Sequence, residues 1–468
     1  MFRKRCCAAD VKDEIGRICY VIVALKAIRK QLDKGNGGYT MIKEYTFAYG
    51  NGIINIPLEE SQVTAVLRGN DIPVIPDISV ALRESLDEPI DHTSLRECVR
   101  PGETVALVIS DMSRFWMRQD LVIPHIVSYL LDECALTPGD VTIIVANGTH
   151  PGGDERALRT LVTDSVFERV RVVNHDCRAD DLVTLGVTSF GTEVSVNRIA
   201  AEADLCLCLG AATFHIMAGF AGGRKSILPG ISGEASIRSN HALSLDPREL
   251  RPSPLIGNGR TMDNPLNLDM LEAAGMMKNL FMINLVMNTN GKLCAIFSGH
   301  YISSWERACE EVKRVYQVPI NEKADVIIAG CGGYPRDMSL YQGTKAIDNV
   351  VPALKAGGTL ILVMEAREGG GPAEFYGWCQ NLKDGSLECR LREAFTVAGF
   401  IFFLNCEMAK RYRIMLLSEI HPDDIAPMGI ESYRDVASLL AHANLAGRRI
   451  LVIPNAGSVV PLVQKGEA

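Results

Sequence analysis

Short apolar runs, each closed by polar or glycine residues, recur along this chain and limit the folds that it can adopt. The clearest runs are Thr104–Ser110, Val141–Ala146 and Asp204–Gly210. Uninterrupted apolar runs of this length are typical of parallel strands that are buried on both faces. The stretch Val122–Leu131 has a helical pattern and lies between the first two runs, as the connection between parallel strands requires. The pattern therefore predicts an α/β fold with mostly parallel sheets.

A second set of apolar runs begins after residue 320. It consists of Asp325–Gly330, Thr359–Met364 and Arg448–Ile453. A chain of 468 residues is long enough for two to three domains. We therefore predict two α/β domains with mostly parallel sheets and a ligand cleft between them.

The domain boundaries are predicted from where these runs begin and end. Residues 41–317 are expected to form an N-terminal catalytic domain that also holds the cofactor residues, and residues 455–468 are expected to rejoin it. Residues 325–454 are expected to form a C-terminal α/β domain that closes over the substrate. Residues 1–40 have a basic start, an acidic interruption and no small-residue cleavage site, which does not fit a signal peptide. We interpret them as a poorly ordered extension upstream of a candidate natural start at Met41.

The composition disfavours three classes of protein. The net charge of -8 provides no basic field for nucleic acid. No apolar run reaches the roughly 18 residues of a membrane-spanning helix. The 14 cysteines are scattered without a Cys-x-x-Cys pair, so a disulfide scaffold is not expected. This cysteine usage predicts a reducing, cytoplasmic location.

The stretch Leu209–Ser232 combines a histidine, two cationic residues and several glycines within a short length of chain. It resembles a phosphate-binding loop, but Arg224 separates the glycine and the lysine that such a loop places side by side. What remains is an anion site made of backbone amides at Gly222 and Gly223, with Arg224 and Lys225 as cationic donors. A glycine-rich turn that merely ends a strand explains the stretch equally well when it is taken alone.

Side chains suited to catalysis follow several of the predicted strands. Asp111 and Arg114 come after the first run. His150 comes after the second run, His215 after the third, and His241 is expected in a loop further on. Because open α/β sheets bind ligands at the carboxyl ends of their strands, these residues are predicted to form one site. Imidazoles in such a site transfer protons or bind a metal, although a single histidine is more often structural.

Two other functions explain part of this pattern. A nucleotide- or sugar-phosphate-binding protein without redox chemistry would use the 219–226 loop to hold an anion, but it would leave the histidines without a role. A zinc-dependent hydrolase would use His150, His215 and His241 but not Lys225. The sequence contains no His-x-x-His or His-Glu-x-x-His spacing, which gives zinc little support.

One long motif runs from Phe214 to Gly230 and reads Phe-His-Ile-Met-Ala-Gly-Phe-Ala-Gly-Gly-Arg-Lys-Ser-Ile-Leu-Pro-Gly. Further motifs, in chain order, are Asp111-x-x-Arg114, Asn147-Gly-Thr-His150, Asn240-His241, Gly332-Gly-Tyr-Pro-x-Asp337 and Tyr341-Gln342-x-x-Lys345. Together these motifs resemble those of the nickel-dependent lactate racemases and their relatives among the 2-hydroxy acid racemases and epimerases. The resemblance extends over nearly everything from Met41 onward.

The resemblance implies a cofactor, the nickel-pincer nucleotide. This is a pyridinium bisthiocarboxylate mononucleotide whose two sulfur-bearing groups and ring carbon hold nickel. Lys225 is similar to the lysine that bonds the cofactor covalently, and His241 is similar to the protein ligand of nickel. The enzymes that make the cofactor would be partners of the protein. The other cofactor-binding residues expected are Gly222, Gly223, Arg224 and Asp111.

The resemblance also implies a reaction, the racemisation or epimerisation of a 2-hydroxy acid. His150 and His215 look like an acid/base pair on either side of the substrate. The hydrogen on the hydroxyl-bearing carbon is not acidic, so transient oxidation to the keto acid avoids a difficult proton abstraction. The cofactor would take the hydride while an imidazole removes the hydroxyl proton. The groups expected to hold the acid are Arg114, Tyr341, Gln342 and Lys345.

The loop after the first run departs from the family pattern. The lactate enzymes commonly read Asp-His-Thr-Arg-Pro, whereas this chain has Asp111-Met-Ser-Arg114-Phe115 followed by Trp116. Bulky residues thus replace a histidine and a proline beside the arginine that is expected to bind the substrate. The expected substrate is lactate or a related 2-hydroxy acid, including a larger one.

Overall fold

The computed structural model describes residues 41–464, so the extension predicted for residues 1–40 lies outside the described part. No helix in residues 41–464 is long and apolar enough to cross a membrane. The strands are β1 Ile42–Tyr49, β2 Gly52–Glu59, β3 Val63–Val66, β4 Val105–Ser110, β5 Val141–Ala146, β6 Arg171–Asn174, β7 Val183–Val187, β8 Glu193–Val196, β9 Leu205–Ala211, β10 Phe214–His215, β11 Gly219–Phe220, β12 Leu280–Met287, β13 Leu293–Gly299, β14 Gln317–Ile320, β15 Ala324–Gly330, β16 Leu354–Val363, β17 Arg413–Leu417, β18 Ile430–Tyr433, β19 Ile450–Ile453 and β20 Val460–Val463. The α-helices are α1 Ile78–Asp87, α2 Leu95–Cys98, α3 Ile123–Asp132, α4 Glu155–Val162, α5 Asp164–Phe167, α6 Arg198–Glu202, α7 Glu234–Ala242, α8 Pro265–Gly275, α9 Ser303–Tyr316, α10 Leu340–Val350, α11 Cys379–Asp384, α12 Leu387–Glu393, α13 Val397–Arg411, α14 Pro422–Ile425 and α15 Val436–Ala443.

The first large sheet has six strands in the order β13-β12-β9-β4-β5-β6. β12 and β13 are antiparallel, and the other neighbours are parallel. Alternate residues of β9 face opposite sides of this sheet. Cys206 and Cys208 pack into one core cluster, whereas Leu205 and Leu207 pack into another. Because both faces are covered, the strand needs apolar residues at every position, which explains its continuous apolar run.

The second large sheet also has six strands, in the order β18-β17-β16-β15-β19-β3. All of its neighbouring strands are parallel. Core side chains from alternate positions of β15 again lie in different clusters, with Ile327 in one and Val326 and Ile328 in the other. The two sheets confirm the predicted α/β class with mostly parallel sheets.

The N-terminal hairpin β1–β2 packs on the second sheet rather than on the first. Its inward residues Phe47 and Ile56 share a core cluster with Val326 and Ile328 of β15. The next strand, β3, pairs with β19 at the edge of the same sheet. The predicted first domain, residues 41–317, included these strands, whereas their packing joins them to the second sheet. Their apolar partners lie far away in the sequence, where a local pattern does not reveal them.

The C-terminal strand β20 pairs in parallel with β14, near the predicted domain boundary. Residues 455–468 were expected to return to the first domain. β20 joins the segment to the strand that follows α9. The segment also contacts the second half of the chain, because Asn349 of α10 donates to the carbonyl of Ala456 over 2.7 Å and Arg336 donates to Oγ of Ser458 over 3.1 Å.

Candidate active site

Three neighbouring strands of the first sheet lead to predicted site residues. β4 lies between β5 and β9 and leads into the 3-10 turn Met112–Met117, which carries Arg114. β5 leads to His150 and β9 leads to His215. Neighbouring strands are about 4.8 Å apart, so the ends of β5 and β9 are roughly 10 Å apart with β4 between them. The topology thus places the loops of the two histidines on either side of the loop that carries Arg114.

His150 is oriented by the carboxylate of Asp111. Its Nδ1 lies 2.5 Å from Oδ2 of Asp111, and the hydroxyl of Ser113 donates to Oδ1 over 2.6 Å. Because the carboxylate accepts, Nδ1 carries the proton and Nε2 keeps its lone pair. The His150 side chain is 50% exposed, which opens Nε2 to a small substrate. The pair therefore has the arrangement of a general base held by a carboxylate.

Asp111 stays ionised in this arrangement. Burial acts to raise its pKa, but hydrogen bonds from His150 and Ser113 outweigh burial and hold the pKa below its usual value. Asp111 was predicted to contact the cofactor. In the structure its two carboxylate oxygens accept from Ser113 and His150 and orient the His150 ring, and contact with a cofactor stays a prediction.

Arg114 carries a positive charge that no carboxylate in residues 41–464 neutralises through an ion pair. Its Nη1 donates to Oγ of Ser113 over 3.0 Å, which links it to the Asp111 carboxylate through that hydroxyl. The rest of the guanidinium is available to a ligand. An arginine of this kind can hold a substrate carboxylate with two parallel hydrogen bonds.

His215 and Lys225 form a second pair on the side of β9. His215 ends β10, whose pairing with β11 closes a small hairpin. The backbone amides of Met217 and Ala218 each donate to Nδ1 of His215 over 3.2 Å. The other ring nitrogen, Nε2, lies 3.2 Å from Nζ of Lys225. The hairpin thus fixes the ring and directs it towards the amine.

Burial and positive charge lower the pKa values of both groups. For His215 the largest cause is burial, followed by the charge of Lys225, and the pKa lies well below 6.5. For Lys225 burial again comes first, followed by the charge of Arg224, and the pKa lies well below 10.5. The charges of Arg114 and Lys345 act on both groups. Residues from both halves of the chain therefore share one electrostatic environment.

Arg224 shapes the glycine-rich loop from inside. Its side chain is 0% exposed, and Nε donates to Oδ1 of Asn267 over 2.9 Å. The Trp305 ring centre lies 3.9 Å from the central guanidinium carbon. The guanidinium thus contacts the chain itself and shapes the loop from inside, and its binding of a cofactor stays a prediction.

Gly222 and Gly223 are required by the packing of this same loop. Their φ angles are +76° and +53°, a region that side chains disfavour. A Cβ on Gly223 would lie 2.8 Å from the Trp305 ring, and one on Gly222 would lie 3.0 Å from the backbone of Ala211. The protein itself therefore occupies the space where a side chain of either glycine would lie. Only the backbone groups of the two glycines can contact a cofactor.

His241 lies in helix α7, and the prediction that it sits in a loop was wrong. The serines and asparagine around it are weak helix formers, but buried contacts stabilise the helix. Nδ1 of His241 donates to the carbonyl oxygen of Ile237 over 3.0 Å, so Nε2 keeps its lone pair. Burial, with a smaller effect from the charge of Lys225, lowers the pKa of His241 to about 3. A neutral imidazole with a free nitrogen is the form that binds a metal.

A buried network that the sequence did not reveal anchors α7. Nδ2 of Asn240 donates to Oδ2 of Asp269 on α8 over 2.8 Å. The same carboxylate accepts from the hydroxyls of Thr188 and Thr192 over 2.5 and 2.9 Å. Because Asn240 precedes His241, this network fixes the position of the histidine.

Other residues that the sequence analysis missed support the Lys225 loop. Oδ1 of Asn284 accepts from the amide of Gly223 over 3.0 Å. Trp305 on α9 donates through Nε1 to the carbonyl of Ala221 over 3.0 Å. An asparagine inside the otherwise apolar strand β12 was a signal that could have revealed the first contact.

Helix α10 of the second half carries Tyr341, Gln342 and Lys345. Ser339 caps this helix, as predicted from the sequence. Nζ of Lys345 donates to Oε1 of Gln342 over 2.9 Å. The Lys345 residue is exposed overall, yet its amino group lies among protein atoms, and burial with the charges of Arg114 and Arg336 lowers its pKa to about 8. Tyr341 is half-buried, and burial raises the pKa of its hydroxyl.

Within residues 41–464, no group of three or more His, Cys, Asp or Glu side chains is arranged to hold a metal ion. Structural and catalytic zinc sites normally use at least three protein ligands. The described residues therefore provide no such set of protein ligands.

Two sequence profiles match the chain in order. The lactate racemase N-terminal domain matches residues 49–251, and the lactate racemase C-terminal domain matches residues 320–461. Together they span most of the described residues. Each large sheet thus falls mainly within one profile.

Two curated relatives and two solved structures resemble the chain. The lactate racemase of Thermoanaerobacterium thermosaccharolyticum is 29% identical over 342 residues, which cover 72% of this chain and 78% of that protein. The lactate racemase of Lactiplantibacillus plantarum is 33% identical over 307 residues, 65% of this chain and 69% of that protein. The structure of the T. thermosaccharolyticum lactate racemase apoprotein has a TM-score of 0.80 at 24% identity and covers 90% of this chain and 100% of its own. A Thermotoga maritima protein has a TM-score of 0.61 at 17% identity, with coverages of 85% and 100%. The structures establish a shared fold, and the profiles and relatives establish that the chain belongs to the lactate racemase family, whose named members are isomerases.

Proposed function

We propose that this protein is a racemase or epimerase of a 2-hydroxy acid, either lactate or a related and larger acid. The observation that carries the proposal is the order of the three neighbouring strands β5, β4 and β9. It places the loop that carries Arg114 between the loops of His150 and His215. Arg114 would hold the substrate carboxylate while His150 and His215 flank the carbon that inverts. Inversion needs a proton acceptor for the hydroxyl of each enantiomer, and the two histidines meet that need.

The chain's own residues divide the work of binding and proton transfer. Arg114 and the ammonium of Lys345 bind the carboxylate, and Gln342 positions Lys345 through its amide oxygen. Nε2 of His150 accepts the hydroxyl proton of one enantiomer and returns it later, because Asp111 holds the ring through Nδ1. His215 serves the other enantiomer. Tyr341 is proposed to line the same site beside Gln342.

The residues present fit a nickel-pincer nucleotide. The fit rests on the donor set: His241 offers a single buried Nε2 lone pair, and Lys225 offers an amine whose pKa is lowered. His241 would bind nickel and Lys225 would bond the nucleotide. When bound, this cofactor supplies a reversible hydride acceptor.

The protein is also proposed to have partner enzymes and a defined cellular location. Loading of Lys225 would depend on the enzymes that make the cofactor, and these are the proposed partners. We also propose a cytoplasmic location, since the 11 cysteines of the described residues are all free thiols.

The test is to co-produce the protein with the cofactor-forming enzymes and to incubate it with enantiopure 2-hydroxy acids deuterated on the hydroxyl-bearing carbon. Lactate and acids with longer or aromatic side chains form the series. Loss of optical rotation with retention of the deuterium is expected. Rapid exchange of the label into water would contradict hydride return. Binding of a nucleotide without any inversion would support instead the phosphate-binding function considered above.

A further inference from the structure

The two ring nitrogens of His215 lie in different environments. Nδ1 faces the backbone amides of Met217 and Ala218, each 3.2 Å away. A backbone amide can only donate, so Nδ1 must be the acceptor and carries no proton. The tautomer of His215 is thus set by the backbone of its own hairpin.

The contact between His215 and Lys225 follows from this tautomer. Nε2 of His215 lies 3.2 Å from Nζ of Lys225. If the lysine were an ammonium that donates to Nε2, neither ring nitrogen would carry a proton. The ring would then be an imidazolate anion, which forms only in strong alkali. The remaining arrangement has Nε2–H donating to the lone pair of a neutral amine.

The surroundings of Lys225 favour the same state. The charged groups that act on its amine within the described residues are Arg224, Arg114 and Lys345, and all three are cations. Burial and these charges both disfavour an ammonium. Burial is the largest cause that lowers the pKa of His215, and the cations Arg114 and Lys345 act in the same direction. The direction of both pKa shifts thus agrees with the hydrogen-bond geometry, which requires an unprotonated amine.

We propose that His215 is a positioning residue for Lys225, which it holds through Nε2–H as an unprotonated amine before the cofactor attaches. This inference rests on the proposed function, in which Lys225 is the attachment site. An amine attacks carbon through its lone pair, so only the unprotonated form can react. The hydrogen bond occupies this lone pair and so keeps the amine unprotonated, and it must break when the amine turns to the carbon that it attacks.

The same geometry makes the two catalytic histidines unequal in this state. His150 presents a free basic nitrogen, because Asp111 accepts from its Nδ1. His215 presents a proton at Nε2 and no free lone pair. His215 can accept a substrate proton at Nε2 only after Lys225 has moved away and the two amides have released Nδ1, so that the ring proton can move to Nδ1.

The tautomer can be measured directly on the full-length protein without cofactor. Protein with 15N-labelled histidine gives distinct nitrogen shifts for protonated and unprotonated ring nitrogens in long-range 1H–15N spectra. The signals of His215 are assigned by their loss in His215→Phe, which retains a planar ring. A protonated Nε2 with an unprotonated Nδ1 at pH 7 is expected. A proton on Nδ1 with a free Nε2 would overturn the inference.

The amine is tested by its reaction with acetic anhydride between pH 6 and pH 10, followed by peptide mass spectrometry. The acetyl group moves to Nζ as the anhydride C–O bond breaks, acetate leaves, and buffer takes the amine proton. Lys225 should react with a midpoint pH well below that of the exposed Lys383 in the same digest. His215→Phe should raise the midpoint of Lys225, and His215→Glu should raise it further because a carboxylate stabilises an ammonium. His125→Glu, on an exposed position of α3, should leave it unchanged.

A wild-type midpoint for Lys225 at or above that of Lys383 would refute the inference without any variant. A midpoint that stays the same in His215→Phe and His215→Glu would refute it too. Both measurements use protein without cofactor. A failure of racemisation therefore leaves them valid, and a failure here leaves the racemase proposal standing.

Discussion

At the scale of single residues, the hydrogen bond between Asp111 and His150 is expected to control the racemisation rate. Asp111→Asn removes the charge that holds His150, so the racemisation rate of the loaded enzyme should fall roughly 10²-fold to 10⁴-fold, as for a positioned acid/base group. His150→Ala should cost a similar factor. If Asp111 acts through His150, the double variant should be no slower than His150→Ala alone. Multiplied losses in the double variant would show that Asp111 acts elsewhere.

We expect the protonation of Lys345 to make substrate binding depend on pH. Its pKa is lowered to about 8, so the fraction that carries a charge falls as the pH rises through about 8. The KM for a 2-hydroxy acid should therefore rise above that pH while kcat changes less. Lys345→Arg keeps its charge and should remove this rise. Identical KM–pH profiles for the two proteins would exclude Lys345 from carboxylate binding.

At the scale of elements, the 223–226 turn depends on helix α9. Trp305 is 1% exposed, contacts the Arg224 guanidinium and hydrogen-bonds the loop. Trp305→Ala leaves a cavity and should lower the free energy of unfolding by about 3–5 kcal/mol. Urea titration followed by circular dichroism measures this change. Trp116→Ala, at a residue that is 39% exposed, is the matched control and should cost clearly less.

Because His241 lies within helix α7, we expect that a substitution there can remove metal binding without unfolding the protein. His241→Ala removes the proposed nickel ligand but places a strong helix former in the helix. The variant should keep its far-ultraviolet circular dichroism and lose nickel in elemental analysis of the loaded protein. The control is His442→Ala on α15, which is exposed and should retain the metal. Full nickel occupancy in His241→Ala would contradict the assignment of this ligand.

At the scale of the whole molecule, the N-terminal hairpin stabilises the distant half of the chain. Phe47 is 1% exposed and packs in the cluster that contains Ile328 of β15. Phe47→Ala should destabilise the protein by about 3–5 kcal/mol. Amide exchange should rise in β15 and β16 more than in β4 and β9. Ile53→Ala, at a residue that is 71% exposed, should change stability by about 0.5 kcal/mol or less. Equal exchange in both sheets would show that the two halves unfold together.

The position of the site also follows from the whole molecule. Arg114 comes from the first half and Lys345 from the second, and both charges lower the pKa values of His215 and Lys225. A site assembled from both halves depends on how they pack. Substitutions far from it, such as Phe47→Ala, can therefore change substrate binding as well as stability.

The sequence by itself determined the class of fold, because a strand buried on both faces must be apolar at every position. The run Val141–Ala146 has the same bounds in the structure as in the prediction, and Thr104–Ser110 is shorter by one residue. Sequence motifs also determined the family, since the Phe214–Gly230 stretch is long and specific. The Ser339 cap followed from local chemistry alone.

Only the tertiary structure decided which polar groups meet. Arg224 was expected to face a ligand, but Trp305 and Asn267, distant in sequence, enclose it. His241 was expected in a loop, and the helix that carries it exists because buried contacts outweigh weak local propensity. The hairpin β1–β2 joined the second sheet for the same reason. Local patterns record whether a residue will be buried, whereas the partner that buries it is selected by packing between segments far apart in the chain.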